Sequence, residues 1–286
     1  MRYKIVSDSS SNVFQLDNID YTTTPLKIVA GSKEWIDAPG VDLTDMVETL
    51  KKHKGKSGSS CPNVQEWLDA FGDAEQVFCV TISKNLSGSY NAAVNAAEEY
   101  MSTYPDRKVF VFDSMSAGPE LALIIEKTRE LILQELDFET IRDTVMDYHD
   151  HLHTLFCLQS MMNLARNGRV NPAVAKIAGA LNIRVIGDAK NGQLAPEHKP
   201  RGDKKALQIL VEQMLLRGLS DGKLVRISHC FNEAAALALK DAILQKFPNC
   251  RFVIEPTTAL CSYYAEVGGL IIGFEGHYNT ENNNSL

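Results

Sequence analysis

The sequence contains no run of the ~18–20 apolar residues that a membrane-spanning helix requires. Its first residues, Met1-Arg2-Tyr3-Lys4-Ile5-Val6, lack the apolar core of a secretion signal and read as the start of a strand. Stable membrane insertion is therefore not expected, and the expected location is the cytoplasm. Cysteine is sparse: Cys61, Cys79, Cys157, Cys230, Cys250 and Cys261 form no C-x-x-C pair and no zinc-like spacing. That scatter fits buried thiols in a reducing compartment. Positive charge is also short, with 29 Lys and Arg against 36 Asp and Glu, a formal net charge of −7, so no nucleic-acid partner is expected. The one short basic run, Lys51-Lys52-His53-Lys54-Gly55-Lys56, reads as a solvated loop after a helix. Neither G-x-x-x-x-G-K-[ST] nor G-x-G-x-x-G occurs, so no nucleotide cofactor is indicated.

What is present is an ordinary globular composition, 44% hydrophobic and 23% charged. At 286 residues the length suits about two domains. Short apolar runs at Tyr3–Val6, Val77–Ile82, Val109–Phe112, Leu155–Leu158, Ile183–Ile186, Leu224–Ile227, Phe252–Ile254 and Leu270–Phe274 predict strands. Helical spacing marks Leu43–Leu50, Val64–Phe71, Ser89–Tyr100, Pro119–Leu133, Phe138–Tyr148, Lys204–Leu215 and Glu233–Phe247. Alternation of the two kinds predicts an α/β fold. Asp188-Ala189-Lys190-Asn191-Gly192 reads as a hairpin turn, so antiparallel pairs should enter the sheet of the second half. A boundary near 155–165 follows, giving units 1–158 and 159–286. The Asn-rich tail Asn279–Leu286 should fray.

Four turns share a composition: Ser7-Asp8-Ser9-Ser10-Ser11-Asn12, Ser57-Gly58-Ser59-Ser60-Cys61-Pro62-Asn63, Ser83-Lys84-Asn85-Leu86-Ser87-Gly88-Ser89 and Asp113-Ser114-Met115-Ser116-Ala117-Gly118. Three directly follow a strand. Such turns gather at the carboxyl ends of a parallel sheet, where ligands bind and helix N-termini favour anions. Helix capping accounts for any one of them alone; their joint occurrence points to a site for something small and negative. Arg169, after Asn167-Gly168, is a candidate charge partner. Lys199-Pro200-Arg201 leads into a helix and by itself reads as surface charge. In His149-Asp150-His151-Leu152-His153 the three rings would share a face on a strand and bind a metal; at a helix end the cluster reads as a solvated terminus, and no metal is expected. A serine-type acyl hydrolase is the alternative function, but spacing pairs no His with a Ser.

Taken in order, these segments resemble the DegV family, bacterial fatty-acid-binding proteins that include the lipid-carrying subunit of fatty acid kinase. Val6–Asn12 resembles the family's opening D-S-S/T stretch, Ser59-Ser60-Cys61-Pro62-Asn63 its T-S-Q-P-S turn, and Ile82–Ala93 its I-S-S-x-L-S-G-T-Y-Q-S-A signature. Val111-Phe112-Asp113-Ser114 with Gly118, Asn167-Gly168-Arg169-Val170 and Lys199-Pro200-Arg201 resemble its V-x-D-S…G, G-G-R-I and K-x-R elements. The resemblance implies a Rossmann-like parallel-sheet domain followed by a second α/β domain with a mixed sheet. It implies a non-catalytic protein that holds a long-chain fatty acid and presents it to a fatty acid kinase subunit. The implied ligand-binding residues are Ser59, Ser60, Ser87, Gly88, Ser89, Asn91, Asp113 and Ser114, with Arg169 near the head group. The sequence departs from the family where H-x-G-P-G is expected: it reads Tyr263-Tyr264-Ala265-Glu266-Val267-Gly268-Gly269, with Tyr264 nearest to the missing His. A Tyr hydroxyl can donate to a carboxylate but cannot be cationic, and Glu266 would oppose an anion.

Overall fold

Strands separated by a helix can pair in parallel, because the helix carries the chain back across the sheet. The structure, a computed structural model, describes residues 2–178 and 182–277. It opens with β1 (Tyr3–Asp8), β2 (Asp20–Thr24), β3 (Lys27–Ala30), β4 (Lys33–Ile36), α1 (Leu43–Lys52), β5 (Ser57–Ser60), α2 (Val64–Phe71) and β6 (Gln76–Thr81). Then come α3 (Ser89–Thr103), β7 (Lys108–Asp113), α4 (Pro119–Leu133), α5 (Phe138–His149), β8 (Leu152–Leu158), α6 (Met162–Arg166) and α7 (Pro172–Ala178). The chain ends with β9 (Val185–Lys190), β10 (Gln193–His198), α8 (Asp203–Leu216), β11 (Leu224–His229), α9 (Glu233–Leu244), β12 (Arg251–Pro256), α10 (Ala259–Ala265) and β13 (Leu270–Glu275).

The first sheet has the order β2-β1-β6-β7 and is parallel throughout. Ile5 packs with Phe78, Val80 and the apolar faces of α4 and α5, whereas Val6 packs with Trp67, Phe71 and Ala93 of α2 and α3. With helices on both faces, every residue of β6 is buried, which is why it reads as one apolar run. The second sheet, β10-β9-β8-β13-β11-β12, is antiparallel except for β11 beside β12. The expected α/β class with a parallel and a mixed sheet is therefore present. Helices α8 and α9 cover its outer face through Leu210, Met214 and Leu239. Helix α4 lies between the two sheets and is buried continuously from Pro119 to Ile125.

Three features differ from the sequence reading. Ser57–Ser60 is not a turn but strand β5, paired with β3 in a small sheet of order β4-β3-β5. Ser and Gly are poor strand formers, so the pairing partner rather than local preference decides its conformation. Strand β8, read with the first unit, is hydrogen-bonded to β9 and β13 of the second sheet. The hairpin turn contracts to Asn191-Gly192, both at positive φ as a two-residue turn requires, while Asp188–Lys190 extends β9. The tail from Asn279 lies outside the described residues. Among those residues no helix is long and apolar enough to cross a membrane.

Gly187 marks where β9 and β10 press closest to the inner face of β8. A Cβ there would lie 2.1 Å from the Ala195 carbonyl oxygen and 2.6 Å from the Phe156 ring. Since backbone must move to admit it, Gly187→Ala is expected to destabilise the protein by about 1–3 kcal/mol. Denaturant unfolding at equilibrium measures the change.

Candidate functional site

The pleat of β5 sends Ser57 and Ser59 to one face. Each meets a tyrosine of α10: Ser57 Oγ is 2.8 Å from the Tyr263 hydroxyl and Ser59 Oγ is 2.8 Å from that of Tyr264. The two rings stay in edge-to-face contact, their centroids 4.8 Å apart, while their further partners differ. Tyr263 turns to Asn167, which donates to its hydroxyl at 2.9 Å, whereas Tyr264 turns into a cavity. Helix α10 has no side-chain cap of its own. Its first N–H groups are claimed from the other half of the protein: Ala259 N–H donates to Asp37 Oδ1 at 2.6 Å, and the Thr258 hydroxyl donates to Asn12 Oδ1 at 2.7 Å.

The cavity lies between β5, α10, the inner face of β8 and the loop after β6, and encloses about 780 Å³, part of it open to solvent. Thr154, Phe156 and Leu158 reach it in alternation from β8, while Leu155 and Cys157 face the core under α8 and α9. Leu26, Ile82, Leu260 and Ile271 supply more apolar wall. Polar groups gather around Tyr264: Ser59 bonds to it, Ser87 lines the cavity next to Leu86, and Arg169 Nε donates to the Leu86 carbonyl at 3.1 Å. Arg169 also donates through Nη1 to the Asn167 carbonyl. Among the described residues no carboxylate pairs with Arg169.

Of the residues read from the sequence, Ser59, Ser87, Arg169 and Tyr264 come together on this cavity. The others do not line it. Ser89 is wholly buried and donates to Asp8 Oδ2 at 2.7 Å. Gly88 backs onto Cys61, whose sulfur would lie 3.3 Å from a Cβ at that position. Ser60 and Asn91 are exposed. Asp113 pairs with Lys84 at 3.3 Å, and Ser114 is buried with its hydroxyl donating to the Ser116 carbonyl. Lys199 and Arg201 are exposed. The sequence reading missed Thr154 and the apolar liners, because a residue that lines a cavity and one that fills a core belong to the same residue types.

The model of the DegV family, described as uncharacterised proteins, matches residues 2–275. The chain belongs to the DegV family. A DegV domain-containing protein of Streptococcus pneumoniae is 36% identical over 280 residues, covering 96% of this chain and 99% of that one. Among solved structures, a DegV family protein from Eubacterium eligens loaded with heptadecanoic acid superposes with a TM-score of 0.93 at 37% identity, covering 96% of this chain and 99% of that one. The Streptococcus pneumoniae fatty acid kinase B3 protein loaded with linoleic acid also gives 0.93, at 36% identity and the same coverage.

Within this DegV chain the departure at 263–269 is now placed. Burial raises the Tyr264 pKa, against which the Ser59 hydrogen bond and the nearby Arg169 charge act, and the phenol stays neutral. Glu266 does not oppose an anion in the cavity as the sequence reading expected. Its carboxylate accepts the Asn163 N–H at 3.0 Å, at the start of α6, and lines a different groove with Lys51 and Arg166. Asn63 caps α2 in a reciprocal capping box with Glu66. The His cluster is not a solvated terminus: His149 reaches the Ser114 carbonyl at 2.9 Å, His153 leans on Phe274, and His151 meets His277 edge to face.

Two buried carboxylates hold the loops around the cavity. Asp8 accepts from Ser10 N–H, Ile82 N–H and the hydroxyls of Ser10 and Ser89. Burial raises its pKa, and those donors oppose the rise. Burial likewise raises Asp37 to about 6 despite its donors. Because that folded value lies above the unfolded one, Asp37 adds stability in full below about pH 4 that is lost as pH rises through about 6. Asp37→Asn keeps the acceptor and removes the titration. The difference in unfolding free energy between wild type and Asp37→Asn should therefore shift against wild type by on the order of 3 kcal/mol across that window; urea melts at pH 4, 5, 6 and 7 measure it. Ser89→Ala strips a donor from buried Asp8 and is expected to cost about 1–3 kcal/mol of stability, while Ser87→Ala, at the cavity surface, costs under about 1 kcal/mol. Chemical denaturation of both variants tests the contrast.

Proposed function

We infer that this protein binds one long-chain fatty acid without catalysis, its carboxylate at Arg169, Ser87 and the Ser59–Tyr264 pair and its tail along the apolar walls. The observation that carries the reading is a cation without a carboxylate partner at the polar end of an otherwise apolar cavity. Such a cavity suits a molecule with one anionic end and a long hydrocarbon body. Each buried methylene contributes about 0.8 kcal/mol, so a long tail outweighs the desolvation of one hydrogen-bonded carboxylate. Ser59 and Tyr264 share one hydrogen bond, which leaves one hydroxyl hydrogen to donate to the ligand. The similar DegV proteins loaded with heptadecanoic and linoleic acids support the ligand class. The fatty acid kinase B3 protein supports a further role, presentation of the bound carboxylate to a cytoplasmic kinase subunit.

The hydrolase alternative is disfavoured by geometry. Ser59 bonds to a tyrosine, and Ser87 Oγ accepts the Ser89 N–H at 3.3 Å; among the described residues neither bonds to a histidine. A carrier also suits the Cys usage, five of the six thiols being buried.

Mass spectrometry of the lipid released on denaturation in organic solvent should recover one long-chain acid per protein. Arg169→Gln removes a charge-assisted hydrogen bond of about 1.5–3 kcal/mol, so fatty-acid affinity should fall by about 10- to 150-fold. The methyl ester of the same acid, which has no charge to lose, should bind both proteins alike. Equal loss for acid and ester would sink the head-group assignment.

A further inference from the structure

The fatty-acid reading leaves the far end of the cavity unexplained, and the inference here rests on that reading. Leu158, Leu164 and Arg169 stand at the polar end of β8, and Leu164 accepts the Arg169 N–H at 2.8 Å. Thr154 lies four residues back on the same face, about 13 Å away along an extended strand. It is the one hydroxyl on that wall. Its partner in register on β13 is Gly273, where a Cβ would meet Glu120 N at 2.8 Å and the Pro119 carbonyl carbon at 2.9 Å. The missing side chain at Gly273 is therefore what lets the first turn of α4 sit down on the sheet beside Thr154. Ala117 and Ala189 complete this end with methyl groups only.

Thr154 is fixed in place. Its hydroxyl donates to Glu120 Oε2 at 2.5 Å and so accepts from Ser116 Oγ at 2.7 Å. Glu120, buried in turn, is paired with His149 Nε2 at 3.3 Å. A threonine held on two sides cannot rotate away to admit more chain, and an alkyl end cannot displace hydrogen bonds that a carboxylate receives.

We propose that Thr154, clamped by Ser116 and Glu120 and walled by the first turn of α4, is the floor of the tail cavity and sets the length of acyl chain the protein accepts. Chain-length preference is read by competition among saturated acids of twelve to twenty carbons against the wild type and three variants. Thr154→Leu fills the floor and Ala189→Val fills the space beside it without touching Glu120. Both are expected to lower the affinity for octadecanoic relative to tetradecanoic acid by about tenfold, the equivalent of excluding one or two methylenes. Thr154→Val keeps the shape and removes the hydroxyl; it should keep the wild-type order of acids while lowering the melting temperature. If Thr154→Leu does not fold, Ala189→Val decides. A folded Ala189→Val protein with the wild-type order of acids overturns the floor assignment while leaving fatty-acid binding intact. A Thr154→Val shift equal to that of a filling variant overturns the steric basis. A wild-type protein that takes up no fatty acid overturns the binding reading and the floor with it.

Discussion

The arrangement depends first on a carboxylate that never meets solvent. Asp8, at the end of β1, gathers donors from its own turn, from the end of β6 and from the first residue of α3. A buried charge is tolerated only when its oxygens are saturated, so the loops that supply those donors are fixed relative to one another. The same loop runs on through Leu86 and Ser87, and Leu86 offers its carbonyl to Arg169. Ser83 and Asn85 donate to the hairpin tip at Gly192 and Asn191. A single fully hydrogen-bonded carboxyl group in the parallel-sheet half thus orients both the polar end of the cavity and its seam with the mixed-sheet half.

Asp37 repeats the device at the second seam. It lies after β4, yet it receives the N–H of Ala259 at the head of α10. Helix α10 is too short for cooperative stability by itself, so its position comes from these foreign acceptors and from Tyr263, buried against the small sheet. Once α10 is seated, Tyr264 has one direction left, and it is the cavity. The cavity then offers apolar walls along its length and a few polar groups at one end.

How far this was legible in the sequence follows from which forces act locally. The long helices and the buried strands announce themselves by periodicity, and α4 is found at Pro119–Leu133 as its spacing predicts. Elements whose form is imposed from outside are silent: β5, made of Ser and Gly, is a strand only because β3 pairs with it, and α6 and α10 are too short to show a period. The site divides the same way. The Ser-rich turns were visible as a set, but nothing local distinguishes Ser87, which faces the cavity, from Ser89, two residues on, which serves Asp8. Ser87 in the loop and Ser89 at the first residue of α3 are aimed by how that helix approaches the sheet, and that is a tertiary fact. Thr154 carried no signal at all, since a single hydroxyl in an apolar strand becomes meaningful only when Glu120 and Ser116 are seen against it.

Where the family resemblance leads one to expect a histidine, the chain carries Tyr264. A histidine in that place would titrate within the physiological range and make the anion's hold pH-dependent. Tyr264 is pushed the other way by burial and stays a neutral phenol. The polar end therefore sets the Arg169 guanidinium beside a group of hydroxyls, those of Ser59, Ser87 and Tyr264. The Ser59–Tyr264 hydrogen bond uses one of the two hydroxyl hydrogens, which leaves the other able to turn toward a polar group in the cavity.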